Sequence, residues 1–208
     1  MYQSVFKRIL DAFTALVCLA VLAVPMLLIA LAVKLDSPGP VLFWQKRIGI
    51  HKTTYMMPKF RSMYTSAPSE MATHLLSDPE QWITPVGRVL RRYSLDELPQ
   101  FISILKGDMS FIGPRPALWN QFDLIEERDK FGANDVIPGL SGWAQINGRD
   151  ELPIPVKAAY DGEYARNISF AFDLKCFFGT IKKVLRCEGV VEGTANVENA
   201  EDQELVEK

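Results

Sequence analysis

The stretch "AFTALVCLAVLAVPMLLIALAV", residues 12 to 33, contains no charged side chain and a single proline, Pro25. Its reading decides the architecture. As a helix it reaches roughly 33 Å at about 1.5 Å per residue, enough to cross a hydrocarbon core. Lys7 and Arg8 precede it, and Lys34, Lys46 and Arg47 follow it. The "ALA" at 30 to 32 resembles a signal-peptide cleavage site, but the run is long for an h-region and nothing disulfide-rich follows. Pro25 cannot donate a backbone hydrogen bond to Val21, and its ring crowds that turn, so the helix bends or breaks there. Basic flanks on both sides suit two ends on one cytoplasmic face. Pro-kinked helices also span membranes, so on these residues alone a straight span and a re-entrant hairpin both stay open.

Outward from this stretch, 208 residues with 48% hydrophobic content leave enough chain for one globular domain with a core of its own. The formal charge of −2 conceals an asymmetry. From Val191 onward Glu192, Glu198, Glu201, Asp202, Glu204 and Glu207 face only Lys208, a net of −5 that leaves +3 on the first 190 residues. That excess is too weak to argue for nucleic acid and fits anionic lipid or phosphate ligands. The expected division is a membrane helix over 1–35, a globular domain over 36–190 and a disordered acidic tail over 191–208. Cys18, Cys176 and Cys187 form no CxxC pair, and Cys18 lies in the apolar run, so a reducing compartment is the simpler reading. His51 and His74 form no zinc signature.

Within the domain, "DSPGP" (36–40) reads as a turn, "VLFWQKRIG" as a short strand and "TTYMMPKFRSM" as an extended piece or turn. Residues 65–81 read as a loop or irregular helix. Residues 84–108 carry helical apolar spacing, with Gly107 as the stop. An acidic amphipathic helix is expected near 117–131, and a Gly-rich segment follows at 138–149. Over 172–190, Leu174, Phe177, Phe178, Ile181, Val184 and Leu185 share one helical face, opposite Lys175, Lys182, Lys183 and Arg186. Such a helix suits either closing a core or lying in a bilayer interface.

No Walker A, GxGxxG or HExxH is present, and "GLSGW" falls one residue short of a GxSxG elbow. What remains is carboxylate and arginine chemistry. In "YSLDELPQ" (93–100) Asp96 and Glu97 are neighbours, and on a helix neighbours point about 100° apart, so they do different jobs or none. A purely structural reading exists: Ser94 and Glu97 fit a capping box, with Asp96 complementing the helix dipole. Pro99 sits awkwardly in that register. In "GPRP", Pro114 and Pro116 stiffen the backbone around Arg115, which presents a planar guanidinium suited to phosphate oxygens. Lys59, Arg61, Arg91, Arg92 and Arg149 add cations, each of which also reads as a solvated charge.

In order and spacing, "PKFRSM", "RRYSLDELPQ", "LKGDMSFIGPRP", "PGLSGWAQINGR" and "YARNISFAFDLK" resemble the bacterial sugar transferases, more narrowly the small monotopic polyprenyl-phosphate phosphoglycosyl transferases. The resemblance runs from about residue 2 to residue 190. It implies an α+β, mostly helical fold: a re-entrant membrane helix hairpin broken near Pro25, joined to a small cytoplasmic catalytic domain with amphipathic interfacial helices. In the family the break is often Ser-Pro; here Val24 precedes Pro25, and no hydroxyl helps satisfy the freed backbone groups. The implied reaction moves a phosphosugar from a UDP-sugar to polyprenyl (undecaprenyl) phosphate and releases UMP, at the cytoplasmic face of the bacterial inner membrane. By the same resemblance Asp96 is the nucleophile that forms an aspartyl-phosphosugar intermediate, and Glu97 helps place Mg²⁺, with Asp96 as the other metal partner. Lys59, Arg61, Arg91, Pro114, Arg115, Pro116, Gln145 and Arg149 are the implied substrate-binding residues. Membrane lipid is the implied environment, an N-acetylated amino sugar the favoured donor group, and a homodimer stays open. Among arginines and near a helix N-terminus, Asp96 is expected to have a depressed pKa. The competing readings are a membrane-attached glycosyltransferase releasing UDP and a non-catalytic membrane scaffold.

Overall fold

The computed structural model describes residues 2–68, 78, 80–148 and 152–186. The N-terminal apolar stretch forms two helices, α1 (Lys7–Val21) and α2 (Ala23–Asp36), after a π-helical turn over Tyr2–Phe6. The two are bent by 63°, and Leu22 at the break has φ −91° and ψ 4°. The break falls one turn before Pro25 for the expected reason. Leu22 N reaches Cys18 O and Met26 N reaches Leu22 O, each at 2.8 Å, but Pro25 has no N–H for Val21 O. Among the described residues no single helix is long and apolar enough to cross a membrane, and this bent pair meets that length and composition only together.

After the turn, β1 (Leu42–Ile48) and β2 (Thr54–Phe60) pair antiparallel, from Leu42 opposite Phe60 to Ile48 opposite Thr54. The segment expected as an extended piece is thus a full strand, and its alternation puts Tyr55, Met57 and Lys59 on one face. The helical spacing over 84–108 resolves into three pieces: α3 (Pro85–Arg92), a 3₁₀ turn (Leu95–Glu97) and α4 (Gln100–Lys106). Thr84 caps α3 by accepting from Gly87 N at 3.0 Å. Gly107 ends α4 with φ +101°, as the sequence predicts. Next, β3 (Ser110–Ile112) pairs in parallel with β4 (Gly139–Ser141), and α5 (Phe122–Asp129), shorter than expected, lies in the crossover. The strands approach so closely at Gly113 and Gly139 that a Cβ on either would meet the other's backbone. Helices α6 (Trp143–Ile146), α7 (Ile154–Arg166) and α8 (Phe170–Arg186) complete the mostly helical α+β fold.

The core binds the bent pair to the domain. Ala15 of α1 packs with Met57, Phe101, Ile104 and Met109, and Val33 of α2 with Phe60 and Leu90. Both ends are also tied by polar bonds. Lys7 Nζ lies 2.6 Å from Asp173 Oδ2, and Arg8 donates to the α4 carbonyls of Ile104 (2.6 Å) and Leu105 (2.7 Å). At the far end Arg61 donates to Ser37 O (2.7 Å), Val33 O (3.3 Å) and Pro38 O. The opposite faces stay uncovered: Phe13, Val21, Val24, Leu27, Leu28 and Leu31 are all exposed. On α8 the expected apolar face does not close the core. Leu174, Phe177, Phe178 and Ile181 point outward, and among the described side chains of α8 Asp173 and Cys176 are the buried ones. The acidic tail, His74, Cys187, Arg149 and most of the expected 65–81 loop lie outside the described residues.

Candidate active site

The site forms where α3 turns into α4. Tyr93 ends α3, and Ser94 adopts a left-handed conformation (φ 54°, ψ 26°) that swings the chain into the Leu95–Glu97 turn. Ser94 makes no side-chain capping bond, which removes the capping box. A left-handed residue cannot aim its hydroxyl along a following helix as an extended N-cap does. Glu97 is otherwise engaged. Arg115 forks onto its carboxylate, Nη1 reaching Oε2 at 3.3 Å and Nη2 reaching Oε1. Lys59 Nζ donates to Oε1 at 3.3 Å. Arg115 Nη1 also reaches Leu140 O at 3.3 Å, which joins the Pro-Arg-Pro strip to β4.

Asp96 lies beside this cluster and is 7% exposed. Its pKa is pushed up to about 6, chiefly by burial, with Glu97 adding to the rise and Lys59, Arg91 and Arg115 opposing it. This corrects the expected depression. The guanidinium that was to acidify Asp96 is committed to Glu97, and loss of solvent outweighs the cations. At pH 7 a group titrating near 6 is still ionised by about ten to one, and it is a stronger nucleophile than an ordinary carboxylate. Burial likewise lowers Lys59, against the pull of Glu97.

The sequence-predicted residues divide. Glu97, Lys59 and Arg115 meet directly, Asp96 lies within electrostatic reach of all three and of Arg91, and Pro114 and Pro116 are buried on either side of Arg115. Arg61, 5% exposed, instead spends its guanidinium on the C-terminal carbonyls of α2. Gln145 is buried beside Gly142, and neither of its amide atoms has a partner among the described residues. Residue reading missed Gln100, buried one turn after Asp96, and Tyr55; among the described residues neither amide atom of Gln100 nor the buried Tyr55 hydroxyl has a hydrogen-bond partner. It also missed Arg47, whose Nη1 donates to Pro116 O at 2.9 Å. The alternation of 54–60 would have found Tyr55 by placing it on the face of Lys59.

Two adjacent carboxylates thus have different surroundings, Glu97 in a guanidinium and ammonium clasp and Asp96 buried with a raised pKa. The chain belongs to the bacterial sugar transferase family, whose model matches residues 2–187. It is 39% identical to the "Uncharacterized sugar transferase EpsL" of Bacillus subtilis (strain 168), over 89% of this chain and 90% of that protein. It is 42% identical to the "Undecaprenyl-phosphate glucose phosphotransferase" of Komagataeibacter xylinus, over 85% of this chain and 35% of that one. With the "UDP-N-acetylgalactosamine-undecaprenyl-phosphate N-acetylgalactosaminephosphotransferase" of Aeromonas hydrophila the identity is 37%, over 86% of this chain and 43% of that one. The chain thus spans most of the first relative and less than half of the two whose names state a reaction.

Proposed function

We propose that the protein transfers a phosphosugar from a UDP-sugar to polyprenyl phosphate, releasing UMP, as an early membrane step of surface glycoconjugate assembly. The observation that carries this reading is the division of labour in the acidic pair. Glu97 takes the Arg115 fork and Lys59, while the buried Asp96 beside it stays mostly ionised and is more basic than an ordinary carboxylate. The names of the relatives supply the substrate class, and they include both glucose and N-acetylgalactosamine donors. Among donors, an N-acetylated amino sugar is the first to test.

In the proposed step an Asp96 oxygen attacks the sugar-bearing phosphorus, and the bridging oxygen leaves with its electron pair as part of UMP. A lipid phosphate oxygen then attacks the same phosphorus, the bond to Asp96 breaks, and the carboxylate is restored. One pyrophosphate linkage is broken and one made, so no ATP site is required. Arg115, Lys59 and Arg91 hold the phosphate oxygens in place, and Gln145 contributes its unpartnered amide to the donor. Asp96 and Glu97 present only oxygen donors, and no group of three or more acids, histidines or cysteines lies together among the described residues. That set suits Mg²⁺, which takes its remaining ligands from phosphate and water. When bound, Mg²⁺ offsets phosphate charge.

We read the bent pair as a re-entrant hairpin, with the domain on the cytoplasmic face of the inner membrane. Both of its ends are tied to one globular body, and its outward faces are apolar. The deciding experiment incubates the protein in lipid nanodiscs with undecaprenyl phosphate, Mg²⁺ and a panel of UDP-sugars. UMP is the expected nucleotide product. UDP in its place would mean ordinary glycosyl transfer, and no turnover across the panel would favour a scaffold. In the same assay Glu97→Ala is expected to weaken both rate and Mg²⁺ dependence.

A further inference from the structure

Residues 114–116 are unusual backbone. Two of the three are prolines with no N–H to give, so the strip is held through its carbonyls. Each carbonyl takes a donor from a different element. Gly139 N of β4 donates to Pro114 O at 2.9 Å. Arg47 Nη1 of β1 donates to Pro116 O at 2.9 Å. Arg128 Nη2 of α5 donates to Arg115 O at 2.9 Å.

The third donor stands apart from the other two. Arg128 is 4% exposed and Asp161 of α7 is 1% exposed. Arg128 Nε and Nη2 reach Asp161 Oδ2 at 2.8 and 2.6 Å. Asp161 Oδ1 has no partner among the described residues. A buried ion pair with an unsatisfied oxygen is a poor source of stability, because desolvation offsets the attraction. This pair does something more specific: it orients a guanidinium so that the second N–H of its Nη2 meets the carbonyl of Arg115.

We propose that Arg128, oriented by Asp161, is a positioning residue that fixes the Arg115 peptide and so aims the Arg115 guanidinium across Glu97. The proposal rests on the phosphosugar-transfer reading for its consequence in turnover, though not for its geometry. Three donors from β1, β4 and α5 act on three successive carbonyls. The side chain between the prolines therefore leaves the backbone in one direction, with little reorganisation left for substrate binding.

The test replaces the pair by apolar residues of similar size, Arg128→Met with Asp161→Leu, an exchange that buried pairs commonly tolerate. The expected result is a folded protein whose kcat/KM falls roughly 10- to 100-fold. In an Arg115→Ala background the same exchange is expected to change kcat/KM by less than about twofold, since the group being aimed is gone. Equal losses in both backgrounds, or full activity of the exchanged protein, would overturn the proposal. If the apolar pair does not fold, Arg128→Lys, which keeps the charge but gives up the fork, goes through the same cycle under the same criteria. A wild-type protein without transfer activity would sink the functional reading and leave this one to amide hydrogen exchange on the same variants. Faster exchange centred on residues 113–118 supports the pin, and wild-type exchange there defeats it.

Discussion

Prolines break the chain in two places, and the breaks are held in opposite ways. In the bent pair the break is local: Pro25 lacks an N–H, Leu22 leaves helical geometry one turn earlier, and exposed valines and leucines surround it. In the second region, 94–116, Glu97 and the Pro114–Pro116 strip are held by residues distant in sequence, Lys59 at Glu97 and Arg47, Arg128 and Gly139 at the strip's carbonyls. A break whose cause lies within one helical turn can be read from a few residues. A break stabilised by side chains from other elements cannot, and that second kind is what a site needs when two adjacent carboxylates must have different surroundings.

The sharpest way to test the second region is to remove its chemistry and keep its shape. Asp96→Asn is expected to lower phosphosugar transfer on the order of a thousandfold or more, as loss of a nucleophile does. The fold is expected to survive with an unchanged or higher Tm. The sign follows from linkage. The folded state holds the Asp96 proton up to about pH 6, whereas the unfolded chain releases it near the ordinary 3.8. Ionising Asp96 at pH 7 therefore weighs against the folded state, and Asn cannot ionise. Thermal unfolding together with the UMP-release assay checks both halves. Activity near wild type would remove Asp96 from the mechanism.

A smaller effect comes from pH on the intact protein. With Asp96 titrating near 6, kcat/KM is expected to fall through that region, by about tenfold for each further pH unit below it. A profile that stays flat down to pH 4.5 would mean that the cations, and not burial, govern the group in the working enzyme.

That distinction marks how far the sequence could be read. The bend near Pro25, the strand over 42–48, the stop at Gly107 and the pairing of stiff prolines around Arg115 all follow from rules spanning a few residues, and the structure has each of them. Helix α7 escaped because its buried face carries Ala158, Asp161, Gly162 and Tyr164, where an apolar stripe is the usual signal. Arg61 looked like a site cation beside Lys59. On a strand, residues two apart share a face, but Arg61 lies just past the end of β2, where it turns to the α2 carbonyls. Asp96 went wrong in sign because a sequence shows nearby charges and does not show lost solvent.

For the first region the test is to restore the missing donor. In Pro25→Ala the new N–H faces Val21 O, and a straightened helix over Lys7–Asp36 would be about 45 Å long, more than a bilayer core needs. Straightening opposes the ties at Lys7–Asp173 and Arg61. The expected outcome is a mixed population. An N-terminal epitope, reached by protease from the same side as the domain in the wild-type protein, becomes protected in a fraction of Pro25→Ala molecules. An epitope on the side opposite the domain already in the wild type would defeat the hairpin and turn the comparison around.

The smallest expected effect decides how the second region's first residue is held. Were Ser94 an N-cap, Ser94→Gly would cost a few tenths of a kcal/mol and Ser94→Ala about 1 kcal/mol. In the left-handed conformation it adopts (φ 54°, ψ 26°), the ranking changes. Alanine there is about as strained as serine, so Ser94→Ala is close to neutral. Glycine relieves roughly 1 kcal/mol of strain and gives most of it back through the freer unfolded chain. Ser94→Gly should therefore match or exceed wild type by up to about 1 kcal/mol, a Tm rise of no more than a few degrees for a chain of this size. Both variants should keep transfer activity, because Lys59 and Arg115 hold Glu97 without help from the Ser94 hydroxyl. A stability order of serine, then glycine, then alanine would instead mean that the turn carrying Asp96 is fixed locally, as the bend at Leu22 is.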